Sequence, residues 1–239
     1  MADFPFDAVG FDLDGTLIDS FRDLGAAVNH ALEQGGFDPV AVETSKDLIG
    51  GGAKIMLARA IETQGGIDGG LKGDAFRRLY KVMLAYYADH NAVHSAPYPH
   101  AREVLSDLRG KGVSLAIVTN KFSDFATNIL TRLDLIDPFV TVIGGDSMGK
   151  GPDGRYLSKP HPDPIIEARK RLGADGSTGR FAFIGDSTYD VKAARAADVP
   201  VVAAAYGYCD LPPAQLGADA VIDSLAGLIP ALESISAKA

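Results

Sequence analysis

From residue 101 onward the chain alternates short apolar runs with segments of helical period, a rhythm that few folds accept. Residues 113–118, 140–143, 181–184 and 201–204 read as strands, each bounded by turn formers. Residues 101–109, 124–133, 164–172 and 191–197 fall between them and read as helices. A short strand at 221–222 and a closing helix at 225–234 complete the series. Strands separated by helices predict a doubly wound, Rossmann-like parallel α/β sheet covered on both faces. Ala8-Val9-Gly10-Phe11 has the same unbroken apolar character, so this upstream run belongs to that sheet.

Residues 21–94 follow another rule. Leu24, Ala27, Val28, Ala31 and Leu32 recur at the spacing of one helix face, with Asp19 and Ser20 as candidate N-caps and Gly35-Gly36 as the stop. A second helix is predicted over 53–64 and a third over 74–89. In the third, Phe76, Leu79, Tyr80, Met83, Tyr86 and Tyr87 read as core. Tyr80, Tyr86 and Tyr87 pack either within this region or at a subunit contact. Pro97 and Pro99 mark the return to the alternating pattern. The domain expectation is therefore an α/β core of residues 1–19 and 97–239, interrupted by an all-helical insertion over 20–96. The glycine-rich stretch 149–155 is expected to be a mobile surface segment.

The 239 residues are 46% hydrophobic, enough to bury a sizeable core, and carry a net charge of −8. That charge argues against a nucleic-acid groove or an anionic membrane surface as partner, though not against a small anionic substrate beside a cation and a lysine. Cys209 is the only cysteine, which suits a reducing compartment. The start of the chain lacks the basic and apolar regions of a signal peptide, and no apolar run reaches membrane-spanning length. A cytoplasmic protein, monomer or homodimer, is the expectation.

Polar residues gather where the strands end. Asp12 and Asp14 follow the first strand, with Gly15 and Thr16 behind them. Thr119-Asn120-Lys121 closes the strand at 113–118, and Gly185-Asp186-Ser187-Thr188-Tyr189-Asp190 closes that at 181–184. Lys159 stands just before a helix. In a parallel sheet the carboxyl ends share one rim, where open α/β sheets bind ligands. Several carboxylates there repel one another unless a cation sits among them, and a small set of hard oxygen ligands suits Mg²⁺. One carboxylate can attack phosphorus while another two residues away moves the proton. A hydroxyl, a backbone amide and a lysine can hold the phosphoryl oxygens. Gly50-Gly51-Gly52, before the second helix, reads either as a flexible turn or as amides that approach an anion. His161 reads as a helix-start residue, and the histidines show no metal-ligand spacing.

Asp12-Leu13-Asp14-Gly15-Thr16, Thr119-Asn120, Lys159-Pro160 and Gly185-Asp186 through Asp190 resemble, in order and spacing, the four motifs of the haloacid dehalogenase-like hydrolases. The helical insertion resembles that family's C1-type cap. Gly144-Gly145-Asp146-Ser147, the stretch from Lys159 to Pro164, Ala193-Ala194-Arg195-Ala196-Ala197 and Tyr206-Gly207-Tyr208 resemble its phosphoglycolate phosphatase subgroup. The resemblance implies Asp12 as nucleophile and Mg²⁺ ligand, and Asp14 as general acid and base with its carbonyl on the metal. Asp186 would complete the protein ligands, with Asp190 ligating or orienting behind it. Thr119 and the Asn120 amide would hold phosphate, and Lys159 would neutralise the transferring group. Thr16 would hydrogen-bond Asp14, and Gly50, Gly51 and Gly52 would contact substrate.

The implied activity is hydrolysis of a small phosphorylated metabolite, 2-phosphoglycolate first. A phosphatase or phosphomutase acting on a sugar phosphate or pyrophosphate is the alternative on the same frame. A phospho-aspartyl receiver module is the alternative of another class; the chain is about twice the length such a module needs.

Overall fold

In the computed structural model, residues 4–174 and 180–236 are described. The first three residues, which entered the reading of the amino terminus, lie outside them. The chain divides into two compact units, Met1–Asp19 with Pro97–Ala239, and Ser20–Ala96.

The first unit is a six-stranded, wholly parallel sheet. Its strands are β1 (Ala8–Phe11), β4 (Ser114–Val118), β5 (Phe139–Ile143), β6 (Phe181–Gly185), β7 (Val201–Ala204) and β8 (Ala220–Ile222). Two-residue strands β2 (Ile18–Asp19) and β3 (Ala96–Pro97) flank the insertion. The spatial order is β5-β4-β1-β6-β7-β8. β1 is central, with Ala8 beside Ser114 on one side and Phe181 on the other. The strand order reverses at β1, so its carboxyl end is the topological switch point. Burial on both sides explains the unbroken apolar run, since all four residues of β1 are buried.

Helices α4 (Ala101–Gly110), α5 (Ser123–Arg132), α6 (Asp163–Arg171), α7 (Thr188–Ala196) and α8 (Leu228–Ser236) flank the sheet. Ile165 and Ala168 of α6 and Val191 and Ala194 of α7 share one core with Ala116, Val118, Phe181 and Phe183. α4 and α8 pack on each other, α4 also on β4 and α8 on β7 and β8. Helix α7 starts three residues before the sequence periodicity places it. Its first turn is polar, and Asp190 at the third position accepts hydrogen bonds from the Ser187 amide (3.1 Å) and hydroxyl (2.6 Å). That reciprocal cap fixes the start without apolar residues.

The stretch 149–157 folds back on itself as a hairpin, with the Gly151 amide donating to the Arg155 carbonyl (2.8 Å) and Leu157 to Gly149 (3.0 Å). The Tyr156 ring meets Phe122 edge-on at 6.0 Å. The expected loose surface segment is therefore hydrogen-bonded, because its glycines permit a tight turn and its flanks pair.

The second unit contains α1 (Phe21–Gln34), α2 (Ala53–Glu62) and α3 (Asp74–His90). Phe76, Leu79, Met83 and Tyr87 of α3 are buried, and Leu24, Ala27, Val28, Ala31 and Leu32 form the matching face of α1. Tyr86 stacks between His30 (4.5 Å) and His90 (4.1 Å), within this unit. Ser20 occupies the N-cap position of α1 but its side chain makes no capping bond. Asp23, one turn in, instead accepts the amides of Val93, His94 and Ser95 and the Ser95 hydroxyl (2.7 Å), which ties down the far end of the unit. Among the described residues no helix is long and apolar enough to cross a membrane.

Candidate active site

The candidate catalytic residues Asp12, Asp14, Thr119, Lys159 and Asp186 belong to the first unit, all but Lys159 just beyond or at the carboxyl ends of β1, β4 and β6. Beyond Phe11 the backbone leaves the sheet and turns sharply, with the Thr16, Leu17 and Ile18 amides all directed to the Leu13 carbonyl. Gly15 sits at φ 84°, and a Cβ there would come within 2.0 Å of Asp186 Oδ2. Only glycine combines that backbone with so close an approach. The turn thereby delivers Asp12 and Asp14 to the rim while letting Asp186 lean over it.

Lys159 is the electrostatic centre. Its side chain is 2% exposed, and Nζ lies 2.9 Å from Asp12 Oδ1 and 2.6 Å from Asp190 Oδ1. Burial alone would lower the ammonium pKa, but Asp12 and Asp190 outweigh it and hold Lys159 above its ordinary value. Burial pushes the Asp12 carboxyl up to about 7; Lys159 pulls against that shift while Asp190 and Asp14 add to it. Asp186 is likewise raised by burial and by Asp190 and Asp12, against the Tyr208 amide and Lys159. Protein groups thus leave the carboxylate cluster short of positive charge.

Asp12, Asp186 and Asp190 offer carboxylate oxygens that all lie within 4.8 Å of one another. Asp12 Oδ1 is buried and, although within ion-pair distance of Lys159, lacks an aligned hydrogen bond. An all-oxygen set of this kind fits a hard divalent cation. The three are not equivalent. Asp190 has one oxygen on Lys159 and the other on Ser187, so its geometry is that of a brace. Asp186 keeps one oxygen on the Tyr208 amide at 2.5 Å.

Thr119, 4% exposed, directly follows β4, and its hydroxyl accepts the Lys121 amide at 3.2 Å. The Asn120 side-chain amide donates to the Lys159 carbonyl (2.9 Å), tying the two segments together. The end of β5 braces the same turn. Gly145 donates to the Lys121 carbonyl (2.8 Å), and Asp146 accepts the Ser123 amide at the start of α5 (2.9 Å).

Asp14 forms an ion pair with Lys121 at 3.0 Å. The expected bond from Thr16 is not made: the Thr16 hydroxyl is buried with no partner among the described residues. The turn points that side chain inward, and its carbonyl instead takes the Tyr206 hydroxyl at 2.8 Å. Gly50, Gly51 and Gly52 belong to the second unit. All three have positive φ (116°, 75° and 91°), and Gly52 is the N-cap of α2.

Two contributors carried no assigned role from sequence. Lys121 follows the Thr-Asn pair on the strand beside β1, and that adjacency was the available signal. Tyr208 reaches the site from the loop after β7. Its amide holds Asp186, and its hydroxyl donates to Asp19 at 2.7 Å.

The haloacid dehalogenase-like hydrolase family model matches residues 9–204. A phosphoglycolate phosphatase of Caulobacter vibrioides is 37% identical over 218 residues, 90% of this chain and 86% of that protein. One from Chromobacterium violaceum is 35% identical over 92% of this chain and 94% of its own length. A crystal structure described as a predicted phosphoglycolate phosphatase from Haemophilus somnus 129pt superposes with a TM-score of 0.82. It is 31% identical and covers 95% of this chain and 97% of that one. The chain belongs to the haloacid dehalogenase-like hydrolases and is a phosphatase, a phosphoric monoester hydrolase.

Proposed function

We propose that the protein hydrolyses a small phosphomonoester through a phospho-aspartate on Asp12, with Mg²⁺ as cofactor and 2-phosphoglycolate as the leading substrate. The observation that carries this reading is the placement of Lys159 2.9 Å from Asp12, with a second carboxylate, Asp14, two residues further on. The names of the relatives support the substrate.

In the first half-reaction an Asp12 oxygen forms a bond to phosphorus as the bond from phosphorus to the ester oxygen breaks. Asp14 gives its proton to that departing oxygen. In the second half, Asp14 takes a proton from water, the water oxygen bonds to phosphorus, and the Asp12–phosphorus bond breaks to release phosphate. Lys159 faces the attacking carboxylate and the phosphoryl oxygens, with Thr119 and the amide of Asn120 beside it. Asp12, the Asp14 carbonyl and Asp186 would hold the cation, which supplies charge neutralisation so that Asp12 and phosphate can meet. Asp190 keeps Lys159 in place. The helical unit acts as a cap, with Gly50, Gly51 and Gly52 contributing to substrate choice. The test is phosphate release from a panel of phosphomonoesters with and without Mg²⁺. Metal-dependent release, greatest for 2-phosphoglycolate, is expected; no release from any ester would refute the reading.

A further inference from the structure

Lys121 places a second ammonium in the site. Its side chain is 5% exposed, a position in which lysine is rare without counter-charge, and Nζ lies 3.0 Å from Asp14 Oδ1. Lys121 and Lys159 each stand beside one carboxylate of the turn after β1. Lys159 touches Asp12 and Asp190, on the side of the transferring phosphoryl group. Lys121 touches the carboxylate that faces the departing oxygen in the mechanism above. The turn that carries it is rigidly set, because the Lys121 amide donates to Thr119 and its carbonyl accepts from Gly145.

We propose that Lys121 sets the preference for a carboxylate-bearing phosphomonoester over one without that charge, by pairing with the carboxylate of the leaving group. The inference rests on the phosphomonoesterase reading and on Asp14 facing the ester oxygen. In 2-phosphoglycolate the carboxylate carbon is two bonds from the oxygen that Asp14 protonates. A cation already touching Asp14 therefore lies beside that carboxylate, and an ammonium has three donors to share between acceptors. An alkyl phosphate of the same size without the carboxylate forgoes this charge-assisted contact.

The test compares kcat/KM for 2-phosphoglycolate and ethyl phosphate, with Mg²⁺, in the parent, Lys121→Met and Lys121→Arg. The parent is expected to prefer 2-phosphoglycolate by about 10- to 100-fold, the span of a hydrogen bond to a charged group. Lys121→Met loses most of that preference, chiefly through a higher KM for 2-phosphoglycolate, and Lys121→Arg keeps part of it. An equal fall on both substrates would mean that Lys121 serves Asp14 alone, which overturns this proposal and leaves the hydrolase reading intact. A parent that does not favour the carboxylate-bearing ester also overturns it, and needs no folded variant. No phosphate from either ester would overturn the phosphomonoesterase reading and this inference with it.

Discussion

Asp190 grips Lys159 with one carboxylate oxygen, at 2.6 Å, and the start of α7 with the other. A single fully buried side chain thus fixes both the ammonium that faces Asp12 and the helix that follows Asp186. Nearby, Gly185 leaves no room for a side chain, since a Cβ there would lie 2.3 Å from Asp190 Cγ.

Replacing Asp190 with Asn keeps the shape and removes the charge. Lys159 retains Asp12 as a partner, so the stability loss is expected to be modest, about 1–3 kcal/mol by denaturant unfolding. Phosphatase activity should fall about 10- to 100-fold, as when a supporting residue around a metal site is lost. Activity within twofold of the parent would show that Lys159 needs no such support.

Gly207→Ala tests the loop that carries Tyr208. Its Cβ would meet the Gly15 carbonyl oxygen at 2.3 Å and Asp186 Oδ2 at 2.5 Å. The loop must shift, and the Tyr208 amide then leaves Asp186. Calorimetric titration should show Mg²⁺ affinity reduced about 10-fold or more. Unchanged affinity would separate this loop from the carboxylate.

The raised Asp12 carboxyl, at about 7, predicts how metal binding depends on pH. Between the ordinary carboxylate range and about 7, the folded metal-free protein holds a proton that the unfolded chain has released. Rising pH therefore costs the metal-free fold stability across that window. A divalent ion must displace the Asp12 proton, and that of Asp186, whose carboxyl is raised as well, so its affinity should rise steeply with pH through about 7, about tenfold per pH unit for each proton displaced. In thermal melts the gain from saturating Mg²⁺ should be larger at about pH 8 than at about pH 5.5. An equal gain at both would contradict the assignment.

Cys209 gives an independent reading of the same electrostatics. Burial, then Asp186 and Asp210, push its thiol up to about 11. Since it is the only cysteine, its reaction with a disulfide reagent reports on one site. At about pH 8 the native protein should react far more slowly than the denatured chain, because the thiolate is the reactive form. Equal rates would mean an exposed, ordinary thiol.

Much of this arrangement was legible in the chain. Two-sided burial made β1 a continuous apolar run, and three strands each ended in a polar group, so Asp12, Asp14, Thr119 and Asp186 could be assigned to one rim. What could not be read were contacts between side chains on different strands. Asp14 reads as a partner for the neighbouring Thr16, yet its carboxylate turns to Lys121 across the β1–β4 pair. Asp19 reads as a helix cap, yet it accepts the hydroxyl of Tyr208 from far along the chain. The start of α7 was missed for the opposite reason: its first turn is held by polar capping, which leaves no hydrophobic period.

The most direct test of the account is a rapid-quench experiment with 2-phosphoglycolate and Mg²⁺, followed by peptide mass spectrometry. The account predicts one phosphoryl group on Asp12 during turnover, and neither that modification nor turnover in Asp12→Asn. Full turnover by Asp12→Asn, or phosphate release with the phosphoryl group on another residue, would contradict it.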